Sequence, residues 1–415
     1  MKPLSKSLRL RAWFALSFLL LAGAAHAAEP QTTPTEDLYL QALQSIAEGR
    51  RTDATAELRR AIAQSPNHAG AWLELALIHC ALGNSDEAER LFAVIETRFK
   101  PSQALLELIA QTREQGCSRW DVFENGVVTA SRGFDQNVNQ GARTTRFTAD
   151  GPNGQVEYEL SGDFTPRSDQ YTQLTGDYMR EVTPNGVLGF VQYQVRRNDS
   201  LHQYNTSSLF TGLEAPYRWG RWRLRASGTL GLVTLGGQLY QRQAQLQARI
   251  EPPLRLPAGT QFNVVAALTR NSFPALTNFD STTEELRGHL SWRRGDHYAS
   301  ATLGYLNDHA LAHRPGGDRK GAFANLLLRR QLGHGLRTEF GYSHQTWNSS
   351  RAYSPGLIDE VRAQATQVLR ASVSYALDKR HALVLEARAV RNRENISIFQ
   401  YNNRQLQLSW QWQLP

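Results

Sequence analysis

Two hydrophobic rhythms divide this chain. Over residues 35–116 apolar positions recur at helical spacing, and from Trp120 to the end they alternate with polar ones at a period of two. The last segment shows the second rhythm most clearly: Leu406, Leu408, Trp410, Trp412 and Leu414 alternate with Gln405, Gln407, Ser409, Gln411 and Gln413. Successive side chains of a strand point to opposite faces, so this segment has one apolar and one polar face. The same reading applies to residues 156–160, where Glu157 and Glu159 share a face, and to residues 223–232, where Arg223 and Arg225 oppose Leu224 and Ala226. It recurs over 243–250, with Gln245 and Arg249 opposite Leu246, and over 336–342, 362–377 and 383–389. These polar faces carry charges and amides, which a dry sandwich core does not accept.

Short turn signals punctuate the strands at 150–154, 183–186, 218–221, 252–259, 294–296, 332–335 and 378–381. Longer polar connections at 198–204, 276–284, 311–319 and 347–360 alternate with them. Short turns at one end and long loops at the other are the asymmetry of a transmembrane β-barrel. Seven turns join fourteen strands, and the first and last strands raise the count to sixteen; if residues 143–149 are loop, the count is fourteen. After residue 30 no apolar run approaches the ~18 residues of a helical span, so a membrane-crossing form of this chain is a closed barrel, which leaves no open edge in hydrocarbon. In that barrel Glu157, Glu159, Arg223, Arg225, Arg249, Arg337, Glu339, Glu386 and Arg388 are expected to line a hydrated lumen, while Leu246 and Leu408 face lipid.

The helical part repeats itself every 34 residues. Leu38 matches Trp72, Ala42 matches Ala76, Gly49 matches Gly83, Ala54 matches Ala88, and Leu58 matches Phe92. Small residues stand where paired helices approach closely, and large ones where the next helix packs. Pro66 closes the first repeat, Lys100 and Pro101 close the second, and residues 102–115 supply one more helix as a cap. This stretch resembles the tetratricopeptide family, with a good fit in the second repeat and a looser one in the first, where Gln41 and Ser45 replace the usual Leu and aromatic. Such arrays bind partners on a concave surface, which makes Trp72 a candidate partner-binding residue. The predicted fold is thus α+β in two domains: a short α-helical tetratricopeptide array at 35–116, then an antiparallel transmembrane barrel at 117–415.

The first residues stand apart from both domains. Lys2, Lys6, Arg9 and Arg11 precede an apolar run at 12–25, and Ala25 and Ala27 supply a small-x-small cleavage pattern, so residues 1–27 read as a signal peptide. Its removal takes four basic residues and no acidic one, lowering the net charge from +8 to +4. The remaining arginines are dispersed among Glu and Gln, which is not a nucleic-acid footprint. Cys80 and Cys117 would meet an oxidising compartment; they can form a disulfide, and Cys80 reads equally well as a buried helix residue. No metal-ligand spacing is present and no cofactor motif is seen.

At the start of the barrel, Gly133, Phe134, Asp135, Asn137 and Asn139 form a Gly-aromatic-Asp-x-Asn-x-Asn segment. Asp and Asn favour local turns, and their alternating oxygens alone fall short of a calcium loop. Behind a tetratricopeptide array, the segment resembles the surface lipoprotein assembly modifier family, whose resemblance implies a periplasmic repeat domain, an outer-membrane barrel and help in delivering lipoproteins to the cell surface. The closing strand is similar to those of Gram-negative outer-membrane barrels, which implies the barrel-assembly machinery and outer-membrane lipid as partners. A sixteen-strand barrel would instead suit repeat-plus-barrel porins that export polysaccharides, the alternative reading of the cargo. The adjacent pairs Asp296/His297 and Asp308/His309 point to opposite strand faces and lack an activated nucleophile, so no enzyme is expected.

Overall fold

The computed structural model describes residues 34–99, 101–117, 122–151 and 154–414; the expected signal peptide lies outside the described residues. Among the described residues five helices come first: α1 (Pro34–Ala47), α2 (Arg51–Gln64), α3 (Ala69–Ala81), α4 (Ser85–Arg98) and α5 (Gln103–Gln115). Every fully buried position that the repeat register matched is where the core lies. Ala42, Ala54, Leu58, Ala76 and Ala88 are 0% exposed and Phe92 is 1% exposed. Gly49 and Gly83 end α1 and α3 with φ of 76° and 78°, a left-handed conformation that glycine adopts without a Cβ penalty. That requirement explains their recurrence at the 34-residue period. α5 caps the array, and a disulfide between Cys80 on α3 and Cys117 just beyond α5 fastens the cap to the second repeat.

Sixteen strands follow. They are β1 (Glu124–Asp135), β2 (Arg146–Gly151), β3 (Gly154–Glu159), β4 (Asp169–Glu181), β5 (Leu188–Asn198), β6 (Thr206–Trp219), β7 (Trp222–Leu235) and β8 (Gln238–Glu251). The remainder are β9 (Thr260–Ser272), β10 (Ser281–Arg294), β11 (His297–Ala310), β12 (Arg319–Gly333), β13 (Leu336–Ser354), β14 (Ile358–Ala376), β15 (His381–Glu394) and β16 (Tyr401–Gln413). β1 and β4 to β16 form a closed antiparallel barrel of fourteen strands. Closure is made by β1 against β16, in register from Val127↔Gln413 to Asp135↔Gln405.

The fourteen-strand alternative therefore holds, and the sixteen-strand count is corrected. β2 and β3 pair only with each other. Their alternation is real, but it belongs to a hairpin inside the β1–β4 connection. Gly151 pairs with Gly154 in that hairpin, so the turn expected at 150–154, whose residues 152–153 lie outside the described residues, does not join two barrel strands. Residues 347–360, read as a long loop, are mostly strand: β13 and β14 run through them, with register shifts after Asn348. The remaining six short turns all fall at one barrel end, the one that carries the helices, hereafter the proximal end.

The outward face is apolar and open to the surroundings: Leu230, Leu246, Leu303, Leu385, Leu406 and Leu408 are all at least half exposed. Outward aromatics flank this band, with Tyr217, Trp219, Trp292, Tyr375 and Trp410 near the proximal end and Phe134, Tyr193, Tyr240 and Tyr305 near the distal end. A belt of leucines between two aromatic girdles is the exterior of a lipid-embedded barrel. No described helix is long and apolar enough to cross a membrane.

Candidate functional site: the lumen and its proximal mouth

The junction segment is built into the barrel seam. Gly133 faces inward beneath the Tyr171 ring, and a Cβ there would lie 2.5 Å from Tyr171 Cζ, so only glycine leaves room. Phe134 points outward. Asp135, 2% exposed, accepts from Arg196 Nη2 at 2.6 Å, from Gln405 Nε2 at 2.8 Å and from the Asn137 amide at 3.0 Å. Arg196 also lies over the Tyr171 ring, 3.8 Å from its centroid. Asn137, also buried, donates to the carbonyls of Gly141 and Asn402, while Asn139 donates to those of Asp163 and Thr165. These oxygens and amides are spent on protein partners: the segment pins the β1–β4 connection to β16 and β5. It is a latch at the distal end of the seam.

The register of the barrel sorts the remaining candidates. Arg223 and Arg225 on β7, Arg249 on β8, Arg337 and Glu339 on β13, and Glu386 and Arg388 on β15 all occupy inward positions, in line with Gln405 and Gln407. On β16, Leu406, Leu408, Trp410 and Trp412 stand on the opposite, outer side, and Leu414 follows the strand. Glu157 and Glu159 are corrected. They sit on the exposed hairpin strand β3, outside the barrel sheet, because period two identifies a strand without saying which sheet it joins.

Inward charges that the sequence reading missed complete the wall. Arg223 pairs with Glu251 at 2.7 Å, Arg225 with Glu214 at 2.8 Å, Arg329 with Glu339 at 2.6 Å, Arg370 with Glu386 at 2.5 Å, and Arg287 with Glu285. Continuing the period-two register along β6, β8, β10, β12 and β14 would have found them. Some inward arginines, unlike Arg196, pair with no carboxylate among the described residues. Arg337 donates to Ser374 Oγ, Arg388 reaches Gln405, Arg293 lies over Tyr298, and Arg249 has no hydrogen bond. The interior is open: cavities of about 810 and 520 Å³ lie along this wall.

The helices meet the barrel at the proximal mouth. The Arg51 amide donates to the Pro184 carbonyl at 3.1 Å, its guanidinium reaches Glu181 at 3.4 Å, and Glu48 lies 3.7 Å from Arg223. Behind these contacts, Arg50 is 1% exposed and holds Glu48, Asp53 and Ser45, and the Ser45 hydroxyl donates to Glu57 at 2.8 Å. The departure of the first repeat from its family pattern at Ser45 thus serves a buried polar network that shapes the docking loop. A buried guanidinium persists only where its donors are satisfied. Trp72, by contrast, is spent within the array: its indole N–H donates to the Pro66 carbonyl and its ring leans on Phe99.

These features define the class: a tetratricopeptide-like helical domain joined to a lipid-facing, closed fourteen-stranded β-barrel with a charged, open lumen. The tetratricopeptide repeat family model matches residues 45–111. No curated protein matches the chain. Solved structures similar to it include an anion-selective porin from Comamonas acidovorans (11% identity, 71% of this chain and 99% of that one, TM-score 0.36). Others are a BenF-like porin from Pseudomonas fluorescens (11%, 71% and 99%, TM-score 0.37) and OmpT of Vibrio cholerae (8%, 71% and 97%, TM-score 0.38).

Proposed function

We propose that this chain is an outer-membrane translocation component, without enzymatic turnover, that helps deliver lipoproteins to the cell surface from a helical domain standing in the periplasm. One observation supports the reading above others: the array is fastened to the barrel mouth through Glu48 and Arg51, beside the lumen entrance, so a client held by the helices is already at the pore. Six tight turns at the same end agree with a periplasmic mouth. The junction segment keeps its resemblance to the lipoprotein assembly modifiers, and fourteen strands remove the strand-number argument for the polysaccharide porins. Export of a polysaccharide remains a second reading because the arginines without carboxylate partners would suit an anionic polymer.

Deleting the gene and probing intact cells with protease separates the two. One or a few lipoproteins are expected to become protected inside the cell and to return to the surface on complementation. Unchanged lipoprotein exposure together with loss of capsule or matrix polymer would overturn it in favour of export.

A further inference from the structure

The wall formed by β8 to β11 carries a surplus of positive charge around one cavity. That cavity, about 810 Å³, is lined by Arg249, Arg287, Arg293, His289, Tyr298 and Asn325, among others. Arg249 on β8 and Arg287 on β10 flank the same β9 residue, Val265. Their backbones are therefore about 10 Å apart, two strand spacings, and both side chains point into the lumen. His289 lies two residues along β10 and is hydrogen-bonded through Nδ1 to Thr302 Oγ1 at 2.8 Å. Tyr298 sits with Arg293 and Arg329 each 5.6 Å from its ring centroid, which holds Arg293 toward the lumen.

Two carboxylates belong to this wall: Glu251 lines the cavity and pairs with Arg223, and Glu285 pairs with Arg287, which also donates to Gln247. Arg249 and Arg293 keep no carboxylate among the described residues. A guanidinium without a carboxylate partner is a fork of donors matched to oxyanions. We propose that this wall is a binding site for a solute bearing phosphate or carboxylate groups, with Arg249 and Arg293 as its principal charges and Asn325 as a supporting donor. The site depends only on the barrel interior, so it stands whether or not the cargo is a lipoprotein.

Inorganic pyrophosphate is a suitable probe. Titration calorimetry on the full-length protein in neutral detergent at low salt is expected to show saturable binding. An Arg249→Gln/Arg293→Gln double variant should bind at least tenfold more weakly, and an Arg391→Gln/Arg404→Gln double variant, which removes two outward charges, should bind as the original does. Heat-modifiable migration on a denaturing gel verifies that each barrel is folded. Titration with inorganic phosphate and with citrate distinguishes a phosphate site from a general carboxylate one. Absence of binding by the unaltered protein, or equal weakening in both double variants, would overturn the site.

Discussion

Leu58 and Leu246 are the same residue in opposite positions. Leu58 is 0% exposed in the helical array, packed with Ala54, Ala88 and Phe92, whereas Leu246 is 66% exposed on the barrel wall with Gln245 and Gln247 pointing inward beside it. The helical domain hides apolar side chains from water, with several kcal/mol gained across its core. The barrel turns the arrangement inside out, because its surroundings are hydrocarbon and its centre is wet. One physical rule, polar groups toward water, produces both domains, and the difference between them is a difference of solvent.

The largest expected effect breaks the helical side alone. The Cys80–Cys117 bond closes a loop of 37 residues in sequence, which by chain entropy stabilises by about 4 kcal/mol. Replacing both cysteines with Ser is expected to lower the array's unfolding midpoint, followed by the helical circular dichroism signal, and to leave heat-modifiable migration of the barrel unchanged. A barrel that also lost its folded migration would show that the two domains are one cooperative unit.

The second prediction sharpens the comparison on the barrel side. Arg at Leu246 or Leu408 should cost roughly 2–4 kcal/mol near the bilayer midplane, whereas Arg at Gln245 or Gln407 should be nearly neutral; folding into vesicles under urea measures each. Equal costs within a pair would mean the faces are misassigned. A smaller effect belongs to the seam. Gly133→Ala pushes a methyl group into the Tyr171 ring, an overpacking expected to cost about 1–3 kcal/mol, and Gly133→Ala combined with Tyr171→Ala should recover part of the loss.

The smallest effect is a pH dependence confined to the helices. His79 is held below its ordinary value of 6.5, first by burial and then by the Arg59 charge, and the Arg59 guanidinium lies 3.5 Å from Nε2. A lowered folded value means that the unfolded chain takes up the proton first. Stability is therefore full above pH 6.5 and falls as the pH drops below it. The array should melt at a lower temperature at pH 5.5 than at pH 7.5, and His79→Gln should flatten that difference. An undiminished slope in the variant would assign the dependence to other groups.

These regions were unequally legible in sequence. The repeat was readable because Ala42/Ala76, Ala54/Ala88 and Leu58/Phe92 are burial constraints that recur at a fixed period. The barrel's faces were readable from alternation, which placed Arg223, Arg249, Glu339 and Arg388 on the inner side. Alternation could not place Glu157 and Glu159, since an isolated hairpin alternates as a barrel strand does. Nor could it show the pairing of Arg329 with Glu339, or of Arg370 with Glu386, which depends on cross-strand register. The charge surplus at Arg249 and Arg293 emerges only once those pairs are drawn. Asp135 and Asn137 were visible as a motif, but their work as a latch needed Arg196 and Asn402, which are distant in sequence.

The central claim is that the barrel spans a membrane with its hairpin and its tight turns on opposite sides, the turns sharing a side with the helices. Thiol labelling of whole cells tests it most directly, since the native cysteines are joined to each other. A Gln155→Cys variant, on the exposed hairpin strand β3, is expected to react with a membrane-impermeant maleimide in intact cells. A Lys379→Cys variant, in the turn between β14 and β15, should react only after the outer membrane is permeabilised. Labelling of both positions in intact cells, or of Lys379→Cys alone, would contradict the account.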